Sequence, residues 1–156
     1  MKIIPVAYDH PDAVALGEQV QAEYRQRFGY DDATPLHPSY FEPPGGLYLL
    51  GYDTDIAVAS GGWRAQDSEE EGYEPGDAEV KRMFVSPKAR GRGLARRILA
   101  ALEESARTAG RTRMVLETGH LLPEAVGLYV SSGYEPTAGF GLYRGNADST
   151  FFAKPL

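Results

Sequence analysis

The 156-residue sequence contains no cysteine, and that absence closes off several chemistries at once. There can be no disulfide, no thiolate metal site and no acyl group carried on a cysteine. A cysteine-free chain suits a cytoplasmic protein. Long apolar runs are missing too. No stretch approaches the ~20 residues of a membrane-spanning helix, and the opening MKIIPVAYDH lacks the apolar core and small-residue cleavage site of a secretory leader. Positive charge is in deficit: the net charge is −6, which argues against a general nucleic-acid binder. The histidines are few and scattered (His10, His37 and His120), and they form no H-E-x-x-H pair, so no metal site is expected. No internal repeat or linker-like stretch interrupts the chain, so residues 1–156 read as one domain.

What is present is patterned as an α/β protein, a mixed sheet flanked by helices. KIIPVAY (Lys2–Tyr8) reads as a strand. Pro11–Phe28 reads as a helix with Asp9 or His10 at its cap, Pro11 in its first turn and Gly29 as its stop. Four prolines make Gly29–Gly46 a loop with room for one helical turn. Leu47–Ala65 divides into two strands around Asp53–Asp55. Gln66–Asp77 is an acidic loop, and Ala78–Ser86 alternates as a strand. The next helix runs from about Gly91 to Ala109, with Leu94, Ile98, Ala101, Leu102 and Ala106 on one face. Gly110 ends it. Thr112–Thr118 is a short buried strand, Leu122–Gly133 a short helix, and the YEPT and STFFAKPL segments close the sheet.

Charge is unevenly spread. Seven of the 16 cations (Lys81, Arg82, Lys88, Arg90, Arg92, Arg96 and Arg97) fall between Val80 and Leu102, where there is no acid. The other nine face all 22 acids, so the rest of the chain carries −13. A positive patch in a negative chain suits a compact polyanion. At its centre, Arg90-Gly91-Arg92-Gly93-Leu94-Ala95 joins a predicted strand to a predicted helix. A helix start offers unpaired N–H groups and a partial positive charge. Glycines let the backbone close on a phosphate, and arginines add charge-assisted hydrogen bonds. The stretch therefore reads as a diphosphate cradle. It is not a Walker loop, since no Gly-Lys-Ser/Thr follows, and the G-x-G-x-x-G spacing of a dinucleotide site fails.

The loop reads R-x-x-G-x-A, at Arg90, Gly93 and Ala95, and in this it resembles the coenzyme A loop of the GNAT family of N-acetyltransferases. EVKRMFVSPKARGRGLA resembles that family's strand–loop–helix, VLETG (Val115–Gly119) its next strand, and EAVGLYVSSGYEP (Glu124–Pro136) its A-x-x-L-Y-x-x-x-G-Y/F segment. Pro123-Glu124 stands where the family often has Asn. The likeness is close from Ala78 to Thr137 and elsewhere follows element order. It implies the GNAT acyl-CoA N-acyltransferase fold, with residues 78–86 and 112–118 as neighbouring parallel strands splayed around acetyl-CoA. It further implies that the backbone of Met83, Phe84 and Val85 runs along the pantetheine arm. The N–H groups of Arg90, Gly91, Arg92, Gly93, Leu94 and Ala95 would then hold the pyrophosphate.

The activity so implied is transfer of an acetyl group from acetyl-CoA directly to a primary amine of a small molecule, peptide or protein, without a metal. Tyr129 matches the family tyrosine beside the coenzyme A sulfur and is the implied general acid; a phenol's ordinary pKa of about 10 is close enough to a thiol's. Glu79 lies eleven residues before Arg90, as does the base glutamate of histone acetyltransferases in this superfamily, and is the first candidate for the base. Glu117, on the neighbouring strand, is the second, and a water chain would also serve. The structural alternatives are salt bridges, Glu79 with Lys81 or Arg82 and Glu117 with Arg113. The oxyanion is expected at a strand N–H near Phe84 or Val85.

His120 is expected at a helix start or on the surface, with the site wall as the alternative. Tyr24, Phe28, Tyr30, Tyr40, Phe41, Trp63 and Tyr143 divide between acceptor-pocket walls and core. The acidic loop is expected to be solvated, or to draw in a cationic amine. The resemblance brings no nucleic-acid or membrane partner and allows a homodimer through STFFAKPL. Two rival readings stay open. A non-catalytic acyl-CoA-binding module would keep the loop and need neither Glu79 nor Tyr129. A nucleic-acid binder would use the Lys81–Arg97 patch, against the negative charge elsewhere.

Overall fold

The structure is a computed structural model that describes residues 1–30, 32–119 and 123–156. Its strands are β1 (Lys2–Pro5), β2 (Gly46–Asp53), β3 (Ile56–Gln66), β4 (Asp77–Val85), β5 (Arg113–Gly119), β6 (Glu135–Pro136) and β7 (Ser149–Pro155). Its helices are α1 (Pro11–Phe28), α2 (Leu94–Thr108) and α3 (Pro123–Ser131), with single 3-10 turns at Pro38–Phe41, Glu69–Glu71 and Pro87–Ala89. α1 starts and stops where the sequence predicts. The His10 ring accepts from Asp12 N at 3.0 Å, Pro11 is the first helical residue, and Gly29 ends the helix in the left-handed conformation at φ 80°. His37 caps the 3-10 turn at Pro38–Phe41 in the same way. α2 begins at Leu94, later than the predicted Gly91. The reason is that Gly91 and Gly93 both take positive φ (79° and 76°), which no α-helix continues.

The strands form one seven-stranded sheet in the order β1-β2-β3-β4-β5-β7-β6. The β4/β5 pair is parallel, and the other neighbours are antiparallel. α2 and α3 cover one face, burying Leu94, Ile98, Leu102 and Tyr129 against Trp63 and Met114. The Trp63 indole donates to Ser105 Oγ on α2 at 3.0 Å, which satisfies the ring's polar edge in the core. α1 and the Pro38–Phe41 turn cover the other face through Leu16, Phe41, Tyr48, Leu50 and Phe84. β7 lies between β5 and β6 with Phe151 and Phe152 buried, so this C-terminal segment is an internal strand of the sheet. Among the described residues, no helix is long and apolar enough to cross a membrane.

The parallel pair is short. β4 and β5 meet over three rungs, Asp77↔Arg113, Ala78↔Met114 and Glu79↔Val115. Beyond them β4 follows β3 as far as Val85, and β5 follows β7 as far as Gly119. A bulge aids the parting: the β3/β4 register shifts between Ser60 and Gly62, and Arg82 sits opposite at φ 59°. The closed end is clamped by charge. Asp77, assigned from sequence to the solvated loop, is the first residue of β4 and 0% exposed. Arg113 Nε and Nη2 donate to its two carboxylate oxygens at 2.8 Å each, and Glu74 N donates at 2.8 Å. Arg113 is thereby spent on Asp77 and not on Glu117.

Breaking a buried pair from one side strands a charge, at a cost of about 3–5 kcal/mol, whereas replacing both partners with apolar groups is far milder. Asp77→Ala should lose stability on that scale in urea denaturation, and Asp77→Leu combined with Arg113→Met should recover much of it. Equal losses for the single and double variants would show that the pair does not clamp the strands.

Candidate active site

Where β4 and β5 part they leave a gap of about 440 Å³. Met83 and Val85 line it from β4, Leu116, Glu117 and Thr118 from β5, Tyr24 and Phe28 from α1, and Leu128 and Tyr129 from α3. Gly91, Gly93, Leu94 and Ala95 stand at its open end. The antiparallel ladder decides which backbone groups face in. Ser86 N donates to Val58 O at 2.7 Å, so by alternation Phe84 pairs with Ser60 on β3, and Met83 and Val85 turn their amides and carbonyls to the gap. Phe84 lines the gap as well, with its backbone paired to Ser60 on β3 and its ring packed under α1. Met83 is seated because Gly61 makes room: a Cβ there would meet the Met83 sulfur at 2.5 Å.

The loop forms an open cradle. A Cβ at Gly91 or Gly93 would meet no atom within 4 Å, so the two left-handed residues curve around empty space. The first helical bond runs from Arg97 N to Gly93 O at 3.1 Å, which leaves the N–H groups of Leu94, Ala95 and Arg96 projecting from the helix start. This arrangement fits a diphosphate. The arginines divide. Arg92 turns away from the gap to Asp53 at 3.1 Å. Arg90 donates to Val85 O at 2.9 Å and to Glu23 at 3.0 Å. Arg96, which the sequence reading had not counted in the site, lines the gap and bonds to Ser131 and Ser132 hydroxyls at 2.9 and 3.1 Å.

A chain of ion pairs crosses the mouth. Arg90 meets Glu23 at 3.0 Å, Glu23 meets Arg27 at 3.4 Å, and Arg27 meets Glu124 at 3.0 Å, so α1 ties the loop to α3. Glu23 and Arg27 are legible in sequence as an i,i+4 pair on α1, but nothing in the sequence tells that their outer partners are Arg90 and Glu124.

Tyr129 and Glu117 share the gap. The Tyr129 ring packs against Tyr134 and Phe152, and the residue is 6% exposed. Burial, and then the negative charge of Glu117, push its phenol well above the ordinary value and keep the proton on it. Burial likewise pushes Glu117 above the usual carboxylate range, aided by Asp32 and Glu79 and opposed by a Ser149 hydrogen bond and by Lys81.

Glu79 is placed differently. It is 5% exposed, and its carboxylate accepts from Arg64 Nε (2.9 Å), Gln66 Nε2 (3.2 Å) and Tyr73 Oη (3.1 Å). It is absent from the gap lining. Neither Lys81 nor Arg82 is its partner: both lie 3.7 Å from Asp32 Oδ2. Burial works against the Asp32 charge, yet Lys81, the Thr34 hydrogen bonds and Arg82 together hold its carboxyl below the usual range. Asp32 lines the gap and is another residue that the sequence reading passed over, because it sits in a turn-rich loop without a motif.

Of the expected acceptor-wall aromatics, Tyr24 and Phe28 face the gap, Tyr143 donates to Asp32 at 3.1 Å, and Tyr40 lines a separate cavity beyond it. Tyr30 packs edge-on against Tyr24, while Phe41 and Trp63 are core. The acidic loop is anchored rather than free, with Tyr73 buried and Asp67 accepting from Arg111 at 2.7 Å and from Gly76 N at 2.7 Å. His120 lies outside the described residues.

Comparison with known proteins agrees with this geometry. The family model of the acetyltransferase (GNAT) family matches residues 15–134. A protein of Azospirillum brasilense named IAA acetyltransferase is 43% identical over 83 residues, 53% of this chain and 54% of that protein, so the match spans about half of that relative's length. An uncharacterized N-acetyltransferase of Escherichia coli (strain K12), YjgM, is 32% identical over 133 residues, 81% of this chain and 77% of that protein. A solved structure from Klebsiella pneumoniae, provisionally assigned as an acyl-CoA N-acyltransferase, superposes with a TM-score of 0.79 at 29% identity, covering 99% of this chain and 97% of that one. The strands that part around a glycine cradle, and these matches together, make the chain an acyltransferase enzyme that belongs to the GNAT acetyltransferase family.

Proposed function

We propose that this chain is an acetyl-CoA-dependent N-acetyltransferase that moves the acetyl group directly to a primary amine in a ternary complex, with residues 1–156 acting as one domain. The observation that carries the reading is the continuity of the gap, which runs from the glycine cradle at α2 to Tyr129 and Glu117. Acetyl-CoA, when bound, supplies a thioester carbonyl and a thiol leaving group. The N–H groups of residues 91–95, with Arg90 and Arg96 at the rim, hold its diphosphate. The backbones of Met83 and Val85 pair with the pantetheine arm as a strand would, and one of their N–H groups takes the charge that grows on the thioester oxygen. Tyr129 stays protonated at neutral pH and is placed to hydrogen-bond to the departing sulfur and give it its proton, against the raised pKa that burial and Glu117 impose. Glu117 accepts a proton from the amine, directly or through water, and its raised pKa brings it closer to a match with neutral pH. Glu79 supports from behind by holding Arg64 and Tyr73. The absence of cysteine supports direct transfer and a cytoplasmic setting.

Calorimetric titration tests the coenzyme. One-site binding of acetyl-CoA and CoA, with none of ATP, is expected; failure of all three would remove the reading. Gly93→Val should weaken CoA binding at least tenfold, because a branched side chain strains a positive φ and fills the cradle. An unchanged affinity would refute the diphosphate assignment.

Tyr129→Phe should lower kcat by about 10²-fold or more while acetyl-CoA affinity stays within twofold. Full turnover would remove Tyr129 as the acid.

Glu117→Gln has two expected effects of opposite sign. Turnover should fall at every pH, and the wild-type decline on the acid side, above the usual carboxylate range, should disappear. Stability should rise, because a carboxyl whose folded pKa is raised costs stability once pH exceeds the ordinary range and the group is forced to ionise while buried. A higher Tm at pH 8 but not at pH 4, together with lost activity, fits Glu117 as a strained base. Wild-type turnover in the variant excludes it.

A further inference from the structure

The ion-pair chain across the mouth engages groups that the coenzyme also needs. Arg90 Nε donates to Val85 O at 2.9 Å, and Arg90 Nη2 donates to both Glu23 carboxylate oxygens at 3.0 and 3.1 Å. The guanidinium lies 5.9 Å from the centroid of the Phe84 ring. Among the described residues, these contacts of the Arg90 side chain are all to β4 or α1, and none is to residues 91–95. Arg90, Glu23 and Val85 all line the gap.

Two binding groups are thereby held by this chain's own residues. The Val85 carbonyl turns to the gap, where it can accept from an amide of the pantetheine arm, but it already accepts from Arg90. The Arg90 fork suits a phosphate in two-point contact, but it rests on a carboxylate. Glu23 stands in the same lining as Gly91 and Gly93, so its charge repels an arriving diphosphate while Arg90 is the group that attracts one.

The chain can give up Arg90 without stranding a charge. Glu23 has a second cation on its own helix, Arg27, at 3.4 Å, and Arg27 has Glu124 at 3.0 Å. A carboxylate with two partners keeps one when the other leaves. The Arg90 and Glu23 side chains are 40% and 27% exposed, so their pair is of the weak, partly solvated kind that a stronger anion displaces.

We propose that Glu23 is a latch on the coenzyme site: it holds Arg90 across the mouth, and acetyl-CoA enters by replacing Glu23 with its own diphosphate as the partner of Arg90. The inference rests on the acetyl-CoA reading and deepens it. When Arg90 changes partner, Val85 O is released to the pantetheine arm and Glu23 falls back on Arg27. The affinity for coenzyme is thus held below what the cradle alone gives, by the strength of one ion pair. A weaker hold serves turnover, because CoA carries the same diphosphate as acetyl-CoA and has to leave after each transfer.

Calorimetry with acetyl-CoA and CoA on wild type, Glu23→Gln, Arg90→Gln and the double variant tests the latch. Glu23→Gln should tighten both ligands about two- to fivefold, the scale of one partly exposed ion pair. In the Arg90→Gln background the same substitution should change nothing, because no latch is left to open. If Glu23 acts only through its general negative charge, the gain will be equal in both backgrounds. If Glu23 braces Arg90 for the phosphate, Glu23→Gln will weaken binding. Either result overturns the latch, as does an unchanged affinity. Salt gives a second readout. It loosens the latch as well as the diphosphate contacts, so wild-type affinity should fall less steeply with added salt than that of Glu23→Gln. Equal slopes overturn the latch. A wild type and variants that all fail to bind either ligand remove the acetyl-CoA reading and the latch with it, whereas binding with the wrong response to Glu23→Gln removes the latch alone.

Discussion

The Asp77–Arg113 ion pair fixes the point at which two parallel strands stop belonging to each other, and the site depends on that point. Three rungs of pairing follow it, and then each strand keeps to its outer neighbour. Had the pairing run on, β5 would consume the amides and carbonyls of Met83 and Val85, and no gap would exist. A buried charge pair is a costly way to hold two strands, but it is directional. Two-point hydrogen bonding at 2.8 Å allows one register, where an apolar contact would tolerate a slip.

The far end of the gap depends on a different device. In a regular strand Lys81 and Arg82 would point to opposite faces. The bulge at Arg82 turns both towards Asp32, each at 3.7 Å. Of these, Lys81 and the Asp32 carboxylate act on Glu117. Lys81 restrains the rise in the Glu117 pKa, while Asp32 and Glu79 promote it. Tyr129 is buried beside the same carboxylate and holds its proton the more firmly for it. Acid and base are thus set by one local field.

The sequence made the order of elements, the glycine cradle and the place of Tyr129 legible, because each is written in short-range pattern: helix period, a fixed Arg-x-x-Gly-x-Ala spacing, a cap. It was poor on which charge meets which. Glu79 was matched with Lys81 or Arg82 along its own strand, but its partner Arg64 lies across the β3/β4 ladder. Phe84 was grouped with its two neighbours and does line the gap, but strand parity, which the sequence does not show, turns its backbone to β3. Asp77 read as loop because it follows a run of acids and a glycine, and burial by Arg113 decides otherwise. Each error is one of register. Register depends on a bulge at Arg82, whose glycines (Gly61 and Gly62) lie across the ladder on β3, and on contacts between residues 36 apart in the chain.

The sheet order has a consequence for synthesis. β5 makes seven rungs with β7 and three with β4, so one wall of the gap is held mainly by a strand that comes after all the others in the chain. While a ribosome still holds those residues, β5 is a bare edge, with Phe151 and Phe152 not yet over it. The nascent chain can form its hairpin and α2 early, but it cannot present a finished gap. Any ligand that stabilises the gap acts once β7 has docked, and the interval before that is when the β5 edge is most exposed to pairing with a stranger.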